Sequence, residues 1–138
     1  MAAAAPEARP GRLPNRRDFL RVQAGRRCAM PGFVLQAAPV PSDYTPPPIR
    51  VGFTVSRKVG NAVARNRVRR RLRELARMII PGQARGDLDY VLVGRQAALA
   101  RDFARMHEDL VEALKRLKAL APAAPAAAIP AGTPIATP

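Results

Sequence analysis

The sequence predicts a small α+β fold, an α/β sandwich with elements in the order α-β-β-α-β-α, and three observations carry that prediction. Residues 49–56 alternate between apolar and polar side chains, the two-residue period of a half-buried strand. Behind a Gly60-Asn61 turn, apolar residues recur at helical spacing as far as Ile79. Residues 89–95 are apolar on both faces, as in a strand covered from each side.

Taken in order, residues 15–22 read as a short basic helix with Phe19, Leu20 and Val22 as its apolar members. Residues 32–36 read as a short strand. The proline-rich stretch 39–48 is a loop, because its prolines cannot donate to a ladder. In the strand at 49–56, Ile49, Val51, Phe53 and Val55 face the packed side, while Arg50, Thr54 and Ser56 face solvent or ligand. Asn61 is the N-cap of the next helix. At about 100° per residue, Ala64, Val68, Leu72, Leu75 and Ile79 share its buried face; Asn66, Arg69, Arg70, Arg73 and Arg77 lie opposite, and Arg67, Arg71 and Glu74 form a flank. Pro81-Gly82 is expected to end this helix. A last helix over 102–120 buries Phe103, Met106, Leu110, Leu114 and Leu117. Its acids come early and its bases late, in accord with the helix dipole. Residues 1–12 and the Ala/Pro-rich 119–138 are expected to be disordered flanks, leaving residues 13–118 as one domain.

Charge narrows the function. The 138 residues carry 24 Lys and Arg against 10 Asp and Glu, a formal net charge of +14. Within residues 50–77 the bases are 50, 57, 58, 65, 67, 69, 70, 71, 73 and 77, and Glu74 is the one acid. Arginines at i, i+4 in the pairs 65/69, 67/71, 69/73 and 73/77 repel one another by about 0.2–0.5 kcal/mol each. A phosphate backbone reverses the sign of that cost, because each neutralised phosphate releases counterions. RNA or DNA is therefore the expected partner. The preference for Arg over Lys suits forked contacts to phosphates and bases, and a GC-rich genome would produce it as well.

Other classes find little support. No apolar run is long enough to span a bilayer, and the basic helix lacks the Trp or Phe of an interfacial helix, so no membrane partner is expected. The single Cys28 excludes an intramolecular disulfide and, with the single His107, cannot build a cysteine-based metal site; the lone cysteine fits a reducing compartment, and a cytoplasmic location is expected. Residues 1–12 lack a secretory h-region, and Pro6 and Pro10, with Pro14 just beyond, would interrupt a transit-peptide helix. No nucleophile–base arrangement or paired carboxylate is visible, so no catalytic residue is assigned. Asp87 and Asp89 read as turn residues rather than a magnesium site.

The run from Val51 to Glu74, with Arg65-Asn66-Arg67 opening the basic helix, resembles the signature of the bacterial ribonuclease P protein subunit family. The likeness extends to Arg17-Asp18-Phe19, to Gly32-Phe33-Val34-Leu35 and to residues 89–95, and so covers nearly all of residues 13–118 and neither flank. It implies a fold like ribosomal protein S5 domain 2, with the basic helix in a left-handed β-α-β crossover where the general rule gives a right-handed one. It also implies an RNA-binding subunit that assists a catalytic RNA in removing the 5′ leader from precursor tRNA. The chemistry then lies in the RNA, which would hold most of the Mg2+, with no metal bound by the protein alone.

By the same resemblance, Arg57, Lys58, Asn61, Arg65, Asn66, Arg67, Arg69, Arg70 and Arg73 contact the catalytic RNA. Arg17, Phe19 and Phe33 belong to a cleft that receives the single-stranded leader, where an aromatic face stacks on a base for about 1–3 kcal/mol. Gln23 stands four residues after Phe19, where the family often carries a second aromatic. The expected partners are the catalytic RNA and precursor tRNA, without an obligate protein partner. A ribosomal or general RNA-binding protein without a role in tRNA maturation, and a DNA-binding protein with an arginine-rich recognition helix, are the alternatives. Arginines on both the polar face and its flank suit an irregular RNA surface better than one major groove.

Overall fold

The computed structural model describes residues 10–46 and 48–121. Along the chain lie β1 (Gly11–Arg12), α1 (Arg16–Gln23), β2 (Arg26–Ala29), β3 (Phe33–Pro39), β4 (Arg50–Val55), α2 (Ala62–Gln83), β5 (Leu88–Gly94) and α3 (Phe103–Arg116). Short 3-10 turns at Arg57–Val59 and Gln96–Leu99 lead into α2 and α3. The expected order of helices and strands is present, and β1 and β2 add strands at the two sheet edges. Neither shows in the sequence, since a two-residue strand and the polar Arg26-Arg27-Cys28-Ala29 carry no apolar alternation.

The strands form one sheet in the order β1-β4-β5-β3-β2. The neighbours β4 and β5 are parallel, with Val51 opposite Tyr90 and Val55 opposite Gly94. Parallel neighbours need a crossover, and α2 makes it. β3 runs antiparallel to β5 on one side and to β2 on the other.

Strand alternation sorts the side chains onto two faces. Phe33, Leu35 and Ala37 of β3, Val51 and Val55 of β4, and Leu88, Tyr90 and Leu92 of β5 join Val68, Leu72, Leu75 and Ile79 of α2 and Met106, Leu110 and Leu114 of α3 in the main core. On the opposite face Ala38 and Val91 meet Leu13, Val22 and the partly buried Phe19. The sheet is thus covered by α2 and α3 on one side and by the eight-residue α1 on the other. That corrects the expectation that one face of β4 would be open. Of its three residues on that side, Arg50 and Gly52 are buried and only Thr54 is exposed.

The helix ends follow from local chemistry. The Asn61 side chain accepts a hydrogen bond from the Ala64 amide at 2.9 Å, the expected cap. Pro81 does not end α2, which continues to Gln83. A proline this close to the C-terminus forfeits one intrahelical donor, while Ile79 and Ile80 remain buried and the Ala84 amide still bonds to the Ile80 carbonyl at 3.1 Å. α3 stops at Arg116, short of the expected 120, because Lys118 turns left-handed at φ 56° and the Ala119 amide bonds back to the Leu114 carbonyl at 2.7 Å.

Order extends past both expected domain boundaries. Gly11 donates to the Ile49 carbonyl at 2.7 Å and pairs with the edge of β4. Ala119 is buried, and Leu120 bridges to Ala84. The expectation of disorder at residues 1–9 and 122–138 lies outside the described residues.

Two stability measurements follow. Leu72→Ala, at a fully buried site, is expected to lower the unfolding free energy in urea by about 2–5 kcal/mol, against less than about 0.5 kcal/mol for Val63→Ala on the exposed side of the same helix. Asn61→Ala should cost about 0.5–2 kcal/mol, whereas Asn61→Asp retains the cap and places a negative charge at the favourable helix end.

Candidate nucleic-acid interface

The buried seam of α2 fixes where its arginines stand. With Val68, Leu72, Leu75 and Ile79 against the sheet, Arg65, Arg69, Arg73 and Arg77 follow one another at i, i+4 spacing along the side next to β4. Asn66, Arg67 and Arg70 are exposed, and Asn66 accepts from Arg69 Nη1 at 3.1 Å. Arg71 turns the other way. Its Nη2 donates to the Arg101 carbonyl and reaches Met106 Sδ at 3.5 Å, and its guanidinium lies 5.7 Å from the Phe103 ring centre. Arg71 therefore ties α2 to the start of α3. Arg77 is paired with Glu74. Among the described residues, Arg57, Lys58, Arg65, Arg67, Arg69, Arg70 and Arg73 form no ion pair with an acid, so their charge is free for an outside partner.

Beside the arginine row lies a groove of 660 Å³. Among the described residues, β1 covers the outer edge of β4 only at Arg50 and Val51, and residues 52–55 have no strand neighbour on that side. Gly52 and Phe53 on that open stretch, with Val51, form the floor. Arg69, Arg73 and Arg77 form one wall; Leu13 and Phe19 form the other, with Arg12 at the rim and Phe53 half-buried between them. The Phe19 ring lies directly over Gly52, where an added Cβ would come within 2.5 Å of its Cε2 and Cζ atoms. Glycine is what lets the ring settle onto the strand. On the far side of Phe19 a shallower recess takes in Leu20, Gln23 and Thr54.

An ionic cluster holds the Phe19 wall to the sheet. Asp89 is fully buried on β5, and its Oδ1 and Oδ2 accept from Arg50 Nε and Nη2 at 3.1 and 2.8 Å. Arg21 of α1 donates to the same Oδ2 at 2.6 Å and to the Pro39 carbonyl at 2.6 Å. Asp18 bonds Arg21 at 3.2 Å and approaches Arg50 at 4.0 Å. The bond to Asp89 raises the pKa of Arg50 above its ordinary value, which keeps the guanidinium charged. Tyr44 lays its ring 3.9 Å from the Arg50 guanidinium and donates its hydroxyl to the Pro48 carbonyl.

Arg57, Lys58, Asn61, Asn66, Arg67 and Arg70 lie on the outer surface of the turn and helix. Arg65 is half-buried on the row beside β4; Arg69 and Arg73 line the groove. Arg17 is exposed on α1, and Phe19 is half-buried at the groove wall. Phe33 is corrected. It points into the main core with no exposed surface, because alternation along β3 places it on the face covered by α2 and α3, so it has no ring face to offer a base. Asp89 is not a turn residue, and Arg50 does not face solvent; each is the other's buried partner. The groove residues Arg12, Leu13, Phe53 and Arg77 were not among the expected site residues, because only the sheet topology, with a β1 that ends at Val51, leaves the rest of β4 uncovered among the described residues. Asp89 did leave a signal, since an acid inside a strand apolar on both faces demands a buried partner.

Among the described residues no three His, Cys, Asp or Glu side chains converge to hold a metal ion. The acids Asp18, Glu74, Asp87, Asp89, Asp109 and Glu112 are each paired with arginine. No described helix is long and apolar enough to cross a membrane.

Comparison with known proteins agrees with this geometry. The family model described as Ribonuclease P matches residues 8–118. The ribonuclease P protein component of Paramagnetospirillum magneticum is 53% identical over 115 residues, covering 82% of this chain and 86% of that one. That of Erythrobacter litoralis is 43% identical, covering 80% and 88%. Among solved structures, the RNase P protein of Staphylococcus aureus superposes with a TM-score of 0.65 at 27% identity, covering 80% of this chain and 97% of that one. The RNase P protein of Thermotoga maritima gives 0.62 at 32% identity, covering 76% and 96%. With this α+β fold, this arginine-faced helix and matches along most of its length, the chain belongs to the ribonuclease P protein component family, RNA-binding proteins of bacterial tRNA processing.

Proposed function

We propose that this protein assists a catalytic RNA in the endonucleolytic removal of the 5′ leader from precursor tRNA, working in the cytoplasm, by binding both the catalytic RNA and the leader. The observation that carries the reading is the groove beside β4. It sets a row of arginines opposite a half-buried aromatic ring, over an open strand edge. Single-stranded nucleic acid is recognised by this combination, in which cations follow the phosphates, rings stack on bases and unpaired peptide groups offer hydrogen bonds. A duplex would be too wide for a floor one strand across.

The two sides of α2 divide the work. Arg57, Lys58, Asn61, Asn66, Arg67 and Arg70, on the outer surface, meet the catalytic RNA. Arg69 and Arg73, on the groove wall, neutralise leader phosphates opposite Phe19, and Arg65 stands where the two surfaces join. Arg17, exposed on α1, extends the positive field past Phe19. Phosphodiester hydrolysis uses metal ions to stabilise the attacking and leaving oxygens. Six of the described carboxylates are paired to arginines and no three acidic, His or Cys side chains converge among the described residues, which supports the reading that the RNA holds most of the Mg2+. The protein's share is fixed positive charge near the junction of the two RNAs, which raises substrate affinity and lowers the magnesium requirement.

Reconstitution of the full-length chain with a bacterial ribonuclease P RNA tests this. Added protein should lower the magnesium optimum and tighten precursor-tRNA binding; if it shifts neither, the proposal fails. With about five phosphate contacts, log affinity should fall against log salt with a slope near −3.5 to −4.5, and Arg65→Ala or Arg69→Ala should each reduce that slope by about one contact's share. Gly52→Ala, which displaces the Phe19 ring, should weaken binding of leader-bearing substrate and leave affinity for the catalytic RNA unchanged in a filter-binding assay.

A further inference from the structure

α1 carries the aromatic wall of the groove, yet little apolar surface fixes it. Of its eight residues Val22 is the one apolar side chain fully buried, while Leu20 is half exposed and Phe19 is shared with the groove. Such a helix can slide or tilt on the sheet with small loss of burial. What gives it a single position is directional bonding. Asp89 reaches from β5 to the aromatic wall and to the floor strand at once, taking Arg21 of α1 and Arg50 of β4 on one carboxylate. Arg21 adds a second fixed point at the Pro39 carbonyl, so the helix is held against two different strands.

The cluster is built for this. Asp89 is inaccessible, and the side chain of Arg50 is 10% exposed against 29% for Arg21. All four charges, Asp18, Arg21, Arg50 and Asp89, lie within one connected network, whose two acids and two bases balance. None of its guanidinium or carboxylate groups lines the groove. The network nevertheless adjoins the contact between Phe19 and Gly52 along the chain, since Phe19 follows Asp18 in α1 and Gly52 lies two residues beyond Arg50 in β4.

We propose that Asp89 is a positioning residue for leader recognition. Through Arg21 and Arg50 it sets α1 against the edge of β4, and so fixes the Phe19 ring and the width of the groove. This rests on the reading of the groove as the leader site. A lost rivet leaves the chain folded and the arginine row in place, but lets the aromatic wall drift from the floor.

The test uses the reconstituted holoenzyme with two substrates, a precursor tRNA bearing a long leader and one bearing a single leader nucleotide. Arg21→Gln frees α1 and retains the Arg50–Asp89 pair. It should raise KM for the long-leader substrate about tenfold, the scale of one lost base–aromatic stack, with kcat and affinity for the catalytic RNA within about twofold. KM for the one-nucleotide substrate should not change, and Arg21→Lys, which keeps a charge opposite Asp89, should recover part of the loss. Asp89→Asn should show the same split; should it fail to fold, the two Arg21 variants decide the matter. Equal rises in both KM values, or no rise with Arg21→Gln while the wild-type protein still favours the long leader, would overturn the positioning role alone. A wild-type holoenzyme that binds both substrates equally overturns the leader reading of the groove, and the positioning role with it.

Discussion

The burial of one face of α2 is the constraint on which the rest of the molecule depends. Four like-charged arginine pairs along this helix oppose its formation by about 0.2–0.5 kcal/mol each. Burying Val68, Leu72, Leu75 and Ile79 returns about 1.5–3 kcal/mol for each side chain. Burial wins by several-fold, so the helix persists in a charge state that isolated helices would avoid. It can therefore display arginines that Glu74 alone does not balance. The protein is in this sense a frame that keeps repelling cations in place until a polyanion arrives.

The same helix joins two strands that must lie parallel, and this ties the charged surface to the sheet. Because α2 crosses from β4 to β5, its seam faces the sheet and one of its sides comes next to β4. β1 pairs with only the first part of β4 and leaves the remainder open. An open strand edge invites association with other strands, and a row of arginines beside it discourages that pairing. The feature that protects the edge is also the one that makes it a site for a polyanionic strand.

On the opposite face the forces are different in kind. α1 is short and thinly apolar, so hydrophobic burial cannot specify its position well. Charge-assisted hydrogen bonds can, because they are directional and their loss leaves charges stranded in a low-dielectric place. The Asp89 cluster thus does for α1 what the apolar seam does for α2. One helix is held by area and the other by geometry. The groove lies between them.

Local physics made much of this legible in the sequence. The seam of α2, the cap at Asn61, the strand period at 49–56 and the dense arginines are properties of neighbouring residues, and each stands in the structure close to where the sequence puts it. Phe19 also lines the groove, whereas Arg17, which the resemblance places in the same cleft, is exposed on α1 outside its lining. The errors came where a side chain's role depends on what lies across the sheet. Phe33 offered an aromatic ring but not the face it would occupy. Arg50 and Asp89 are 39 residues apart, and Arg21 and Asp89 are 68 apart, so no local pattern joins them. Pro81 marks a helix end by its own chemistry, and tertiary burial of Ile79 and Ile80 carries the helix past it. The sequence by itself determined that this chain would present a helix of arginines to a nucleic acid. Only the tertiary structure decided that β4 beyond Val51 is an open edge and that Phe19 and Arg69 line the same groove beside it, because strand order and long-range ion pairs are set by contacts between distant parts of the chain.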